Sequence, residues 1–177
     1  LDGLSDAKTG GSNFSNSLIL GNQTTGTLSS AEYNTAVGYA TLDAITSGDN
    51  NTALGYASLY AVTSGSNNVA MGFEALYTAT TEGSLTAIGY QAAKANTTGS
   101  GTEAVGYQAL TANTTGDSNI AMGHQALLNN TTGSGSTALG YEALYTATTE
   151  GSLTAIGYQA AKANTTGTGT VAVGYQA

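Results

Sequence analysis

The chain reads as an all-β protein, a parallel β-solenoid of stacked coils, and three observations predict that class. A glycine returns every 17 residues with no insertion or deletion, at Gly38, Gly55, Gly72, Gly89, Gly106, Gly123, Gly140, Gly157 and Gly174. An aromatic residue follows it in eight of the nine copies, and His124 fills the slot in the other. The residue two places before it is alanine every time: Ala36, Ala53, Ala70, Ala87, Ala104, Ala121, Ala138, Ala155 and Ala172. A fixed period signals stacked units, and 17 residues are too few for a helical hairpin with its turns. They suffice for two short strands, a corner and a turn.

From the N-terminus, residues 1–16 carry Gly10-Gly11 with scattered Ser and Asn and read as a connector or cap. Residues 17–177 read as the repeat domain, about ten coils with the last one truncated. Leu18-Ile19-Leu20 stands where a strand is expected and Gly21 keeps the phase, a degenerate first coil. At a strand spacing of 4.7–4.9 Å, ten coils reach on the order of 45–50 Å, with every ladder parallel.

The first strand of each coil ends at the glycine. Just before it stand Val37, Leu54, Met71, Ile88, Val105, Met122, Leu139, Ile156 and Val173. Neighbours in a strand point to opposite faces, so this large apolar column is expected inside and the alanine column outside. A column of alanine alone on an outer face suggests close approach by another backbone, most simply a second chain. A cramped interior corner is the competing reading. The glycine marks a bend or bulge where a Cβ clashes or φ is positive. The rings after it are expected to stack as a ladder, packing by offset faces; a sugar-binding strip is the sharper alternative.

A small residue and then usually leucine follow, as in Ala75-Leu76, Ala109-Leu110 and Ala126-Leu127, with Ala93 and Ala161 replacing the leucine. This pair is expected to form the second strand, with leucine supplying its burial. The turn begins at a threonine kept in every complete coil, from Thr46 to Thr165, and runs through Ser or Thr into glycine. Asn96, Asn113, Asn130 and Asn164 precede that threonine and are expected to build an internal amide ladder. Glu74–Gly99 is identical to Glu142–Gly167, a block of four coils copied whole. Such copying suits a spacer better than an active site.

Composition narrows function. Eleven acidic residues against three lysines and no arginine leave a formal charge of −8, which argues against nucleic acid and against an anionic membrane surface. No run is long enough to insert in a membrane. Charged residues are 8% of the chain, so Ser, Thr, Asn, Gln and Gly coat the surface, as in extracellular and viral fibres. Cys and Pro are absent, so there is no disulfide framework. With no initiating Met and a break partway through a repeat, the chain reads as a segment with further fibre at both ends.

Asn34-Thr35-Ala36-Val37-Gly38-Tyr39 resembles the head repeats of trimeric autotransporter adhesins. Asn119-Ile120-Ala121-Met122-Gly123, with Gln125-Ala126-Leu127 and Asn130-Thr131-Thr132-Gly133, is closer to repeats of bacteriophage tail-fibre proteins. The resemblance covers about residues 17–177. It implies a left-handed parallel β-roll and three chains side by side, a homotrimer. The coil here is longer than the adhesin repeat, and the leading Asn gives way to Leu85, Thr102, Ser136, Leu153 and Thr170.

Catalytic chemistry finds no constellation, and no catalytic, cofactor or metal residue is assigned. Glu74 and Glu142 share one repeat position and Glu82 and Glu150 another, four coils apart, and read as solvated groups rather than an acid–base pair. His124 is the only histidine and reads as a substituted ladder member. Asp49 and Asp117 share a turn position without a calcium-binding repeat. The expected function is therefore a non-enzymatic segment of an extracellular trimeric fibre, in a virion tail, orienting a receptor-binding tip for host attachment. Its partners are copies of itself and adjoining fibre segments. One alternative is a bacterial surface adhesin head that binds host glycan or matrix. The other is an ice-binding solenoid, disfavoured because its paired threonines are adjacent rather than two apart.

Overall fold

The computed structural model describes residues 7–9, 16–21 and 29–177. Three-residue strands form one sheet in chain order: β1 (Ala7–Thr9), β2 (Leu18–Leu20), β3 (Thr35–Val37), β4 (Thr52–Leu54), β5 (Val69–Met71), β6 (Thr86–Ile88), β7 (Glu103–Val105), β8 (Ile120–Met122), β9 (Thr137–Leu139), β10 (Thr154–Ile156) and β11 (Val171–Val173). From β2 to β11 every pairing is parallel and joins residues 17 apart; Ala104, for example, lies between Ala87 and Ala121. The 17-residue solenoid is thus present, and no helix occurs among the described residues.

One ladder departs from the all-parallel expectation. β1 runs antiparallel to β2, with Ala7 opposite Leu20. Parallel neighbours need a crossover of about a dozen residues or more, and the stretch from Thr9 to Leu18 is shorter than that. The rest of the expected connector, residues 1–6 and 10–15 with Gly10-Gly11, lies outside the described residues.

Each coil contributes one strand, not two. The segment expected as a second strand is a turn in which alternate residues are left-handed: φ is 53° at Gln108 and 53° at Leu110, 55° at Gln125 and 50° at Leu127. Adjacent residues of that segment, such as Ala109 and Leu110, are both buried. Strand alternation forbids this, whereas a left-handed residue curls the chain so that both point inward. Each non-glycine residue held there costs about 1–2 kcal/mol, offset by ladder bonds such as Leu110 N–H to Ala126 C=O at 2.9 Å.

The phase of the surviving strand is the reverse of that expected. The alanine column points into the coil, with Ala36, Ala70, Ala87, Ala104, Ala121, Ala138 and Ala155 at 0% exposure, Ala53 at 1% and Ala172 at 9%. The large column before the glycine faces out: Val37, Leu54, Ile88, Met122, Ile156 and Val173 are exposed, and Met71, Val105 and Leu139 half-buried. The interior is narrow because the turn returns within a few residues and already delivers leucine to it. From β3 to β11 only a methyl group lies beneath the strand, while in β2 the fully buried Ile19 takes the place of the alanine. The cramped-interior reading of the alanines is the right one.

The remaining inward columns trade size between them. Ala79 and Ala147 go with Leu85 and Leu153, while Ile45 and Val62 go with Asn51 and Asn68, all of them buried. The amide ladder expected from the sequence forms: Asn113 Nδ2 donates to Asn96 Oδ1 at 2.7 Å and Asn130 Nδ2 to Asn113 Oδ1 at 2.8 Å. It stops where Ala147 takes the next position, leaving Asn130 Oδ1 without a partner and the side chain of the expected fourth member, Asn164, bonded only to Gly167 of its own turn. A second ladder uses the leading Asn column, in which Asn51 Oδ1 accepts from Asn68 N–H and Asn68 Oδ1 from Leu85 N–H, both at 3.0 Å. Asn130 Oδ1 apart, the buried amides of these ladders are satisfied rung to rung, as low-dielectric surroundings require.

Candidate interaction face

The outward side of the sheet follows directly from that inverted phase. Its central column is the aliphatic set from Val37 to Val173. On one side lies the column Thr35, Thr52, Val69, Thr86, Glu103, Ile120, Thr137, Thr154 and Val171, in which Glu103 is the only charge. On the other side, past the glycines, lie the rings.

The glycine column holds the face flat. Gly106 has φ +140°, and a Cβ built there would meet the Gly123 carbonyl oxygen at 2.4 Å. Gly38, Gly55, Gly72, Gly89, Gly123, Gly140, Gly157 and Gly174 share that conformation, with φ between +129° and +138°. No side chain intrudes between the aliphatic and aromatic columns.

Every ring from Tyr39 to Tyr175 stacks on its neighbours. Centroids are 5.7 Å apart for Tyr39–Tyr56 and 4.9 Å for Tyr56–Phe73, and successive planes lie within 14° of parallel. Through Phe73, Tyr90, Tyr107, His124, Tyr141, Tyr158 and Tyr175 the spacing stays between 5.0 and 5.3 Å. His124 is the substituted ladder member that its slot implied. The rings remain exposed, from 40% at Phe73 to 73% at Tyr175.

The area is large for an uncovered surface. Half-exposed aromatic side chains offer about 100 Å² each, so rings and aliphatics together make a strip on the order of 1,000 Å². The largest apolar patch on a typical monomer is about 300–600 Å². A stable partner contact covers about 800 Å² per chain.

Beside the rings runs a polar column that sequence reading overlooked. Gln108 Nε2 donates to Gln91 Oε1 at 3.2 Å and Gln125 Nε2 to Gln108 Oε1 at 3.0 Å. Where the copied block puts glutamate in this column, the carboxylate is tied rather than free. Glu74 accepts from Gln91 at 2.9 Å and from Lys94 at 2.6 Å; Glu142 accepts from Gln159 at 2.7 Å and from Lys162 at 2.5 Å. The Lys94 ammonium, then the Gln91 amide, hold the Glu74 carboxyl below the usual carboxylate range. Each lysine also lies over a ring, Lys94 5.9 Å from Tyr77 and Lys162 5.5 Å from Tyr145, within cation–π reach. The solvated reading of Glu74 and Glu142 is corrected accordingly: repetition sets a lysine one coil and three residues on, within reach of the glutamate.

Four other acidic positions, Glu82, Glu150, Asp49 and Asp117, serve the turns. Glu150 Oε2 accepts from the Thr148 N–H at 2.8 Å and the Thr149 N–H at 3.1 Å. The Thr148 N–H chiefly holds its carboxyl below the ordinary range, against the opposing effect of burial. Glu82 makes the same bonds to Thr80 and Thr81. Asp49 Oδ1 accepts from the Glu32 N–H at 2.8 Å, and Asp117 Oδ1 from the Ser100 N–H at 2.7 Å. Among the described residues no three His, Cys, Asp or Glu side chains gather as a metal site. What the surface offers is an exposed apolar strip with a ladder along one side.

No protein-family model matches the chain, and neither the curated proteins nor the solved structures include a match.

Proposed function

We propose that the chain is a non-enzymatic structural segment of a homotrimeric fibre, of the phage tail-fibre kind, holding a receptor-binding tip away from its base. Three rods lie side by side with their outward sheet faces turned to a common axis. The left-handed winding implied by the family resemblance belongs to the same proposal. One observation carries it: the column Val37 to Val173 has six side chains exposed and three half-buried in a single chain, beside a stacked ring ladder. Aliphatic groups at about 25 cal/mol per Å² of buried surface favour association, and a strip of this area supplies what one thin coil lacks. The alanine column no longer contributes a contact surface, since it is filled from within. Chain association passes to the aliphatic column beside it. A rod stiffened by ladders on every column suits a spacer that must keep a fixed orientation.

The test is the mass of the native particle at micromolar concentration, by sedimentation equilibrium, for the wild-type chain and for Val105→Lys. Three times 17.5 kDa is expected for the wild type. Val105→Lys, placing an ammonium on the axis, is expected to yield monomer of unchanged circular dichroism. A wild-type monomer that keeps its sheet would overturn the trimer.

A further inference from the structure

We propose that assembly of the trimer joins Glu103 of each chain to His124 of the next, a proton-dependent pin between the rods. The inference rests on the trimer proposed above and adds the residues that pair across it.

Two columns of the outward face each break their own rule once. The column of Thr, Val and Ile holds a single charge, Glu103, and the column of Tyr and Phe holds a single imidazole, His124. The two exceptions stand on adjacent rungs, β7 and β8. They do not pair within a chain: four residues along the coil separate their columns, about 13 Å of extended backbone. The ion pairs among the described residues are Lys94–Glu74 and Lys162–Glu142.

Their surroundings in one chain leave both available. Glu103 lies between Thr86 of β6 and Ile120 of β8, neither of them titratable. It is exposed. His124 is held between the Tyr107 and Tyr141 rings at 5.0 Å on each side. The carboxylate nearest along its coil stack is that of Glu142, whose N–H donates to the His124 carbonyl. Glu142 itself is engaged by Lys162 and Gln159.

Cyclic symmetry supplies the missing neighbour. A three-fold contact is heterologous, so one side of a face meets the opposite side of the next chain's face. With the aliphatic column on the axis, the Glu103 column abuts the neighbour's ring column. Equal residues stand at equal heights around the axis. Glu103 therefore arrives at the rung of the neighbour's Tyr107, and His124 is one strand spacing away, about 4.8 Å. A glutamate side chain spans that step. On the rungs beyond these two the same contact sets Thr, Val or Ile against Tyr or Phe, so a slip that carries Glu103 away from His124 leaves the carboxylate against a ring and the imidazole unpaired.

The sign follows from the pair. Assembly that binds the protonated imidazole is tighter at lower pH and loses that gain as the pH rises.

Trimer dissociation constants of the wild type, Glu103→Gln, His124→Tyr and the double variant, measured by sedimentation at about pH 5.5 and about pH 8, test the pin. Three pairs acting together should make the wild-type trimer about ten-fold tighter at the lower pH. Each single variant should bring that ratio close to one, and the double variant should change it no further. Both side chains are exposed, so circular dichroism should be alike in all four proteins. A wild-type trimer with no pH dependence, or one whose dependence survives in Glu103→Gln, overturns the pin while leaving the trimer standing. Monomer at both pH values overturns the trimer reading and the pin with it.

Discussion

Substituting Ala104 by leucine separates an inward alanine column from an outward one. Ala104 is fully buried on β7, stacked between Ala87 and Ala121, and the interior around it is occupied by the buried Ala93, Asn96, Ala109 and Leu110. Leucine adds three carbon atoms where the rungs are about 4.8 Å apart. Overpacking costs about 1–3 kcal/mol, and a coil locked by ladders above and below cannot widen, so the upper end, about 3 kcal/mol, is expected. For a chain of this length that corresponds to a fall in Tm of roughly 6–12 °C. Thr102→Ser, which removes one methyl from a site 1% exposed, should cost only about 1 kcal/mol. Coupling in a solenoid passes between neighbours, so amide exchange should quicken in the coils around β6 to β8 and little at either end. Thermal unfolding with residue-resolved hydrogen exchange reads both effects. Unchanged melting together with a lighter native particle would refute the reasoning, because it would return the alanines to the outer surface.

Two further outcomes are expected of the folded coil. Asn113→Ala deletes the middle of the amide ladder, stripping Asn96 Oδ1 and Asn130 Nδ2 of their shared partner, and should cost about 2–3 kcal/mol in urea unfolding. Asn130→Ala, at the end where Oδ1 is already unpartnered, should cost less. The Glu150 carboxyl is held below its ordinary value of 4.5, so its contribution is complete above that pH and drains away as the pH falls through the folded value. Urea midpoints at pH 7 and about pH 3 should therefore differ more for the wild type than for Glu150→Gln.

Reading the sequence in columns reveals whatever repeats and misses whatever depends on direction. Gly106, the Tyr107 ladder and the Asn96–Asn113–Asn130 ladder are legible because a 17-residue period superposes like on like, and like groups stack whichever way they point. The burial of both Ala109 and Leu110 was legible in principle, since two adjacent columns that never admit a charged residue do not suit an alternating strand. The Lys94–Glu74 pair was equally accessible from its spacing. The direction of Ala104 was not. Alternation says only that Ala104 and Val105 face opposite ways, and size favours the larger one inside when the width of the interior is unknown.

The sequence by itself determined the rung: its length, its parallel register, its glycine hinge and the identity of every stacked column, because those follow from periodicity alone. Only the tertiary structure decided which side of the strand is dry. That choice depends on how tightly the turn closes, through left-handed residues such as Gln108 and Leu110, and no local propensity encodes that distance. The closed turn leaves room for a methyl and turns the bulk outward, and the surface thereby left uncovered carries the proposed function.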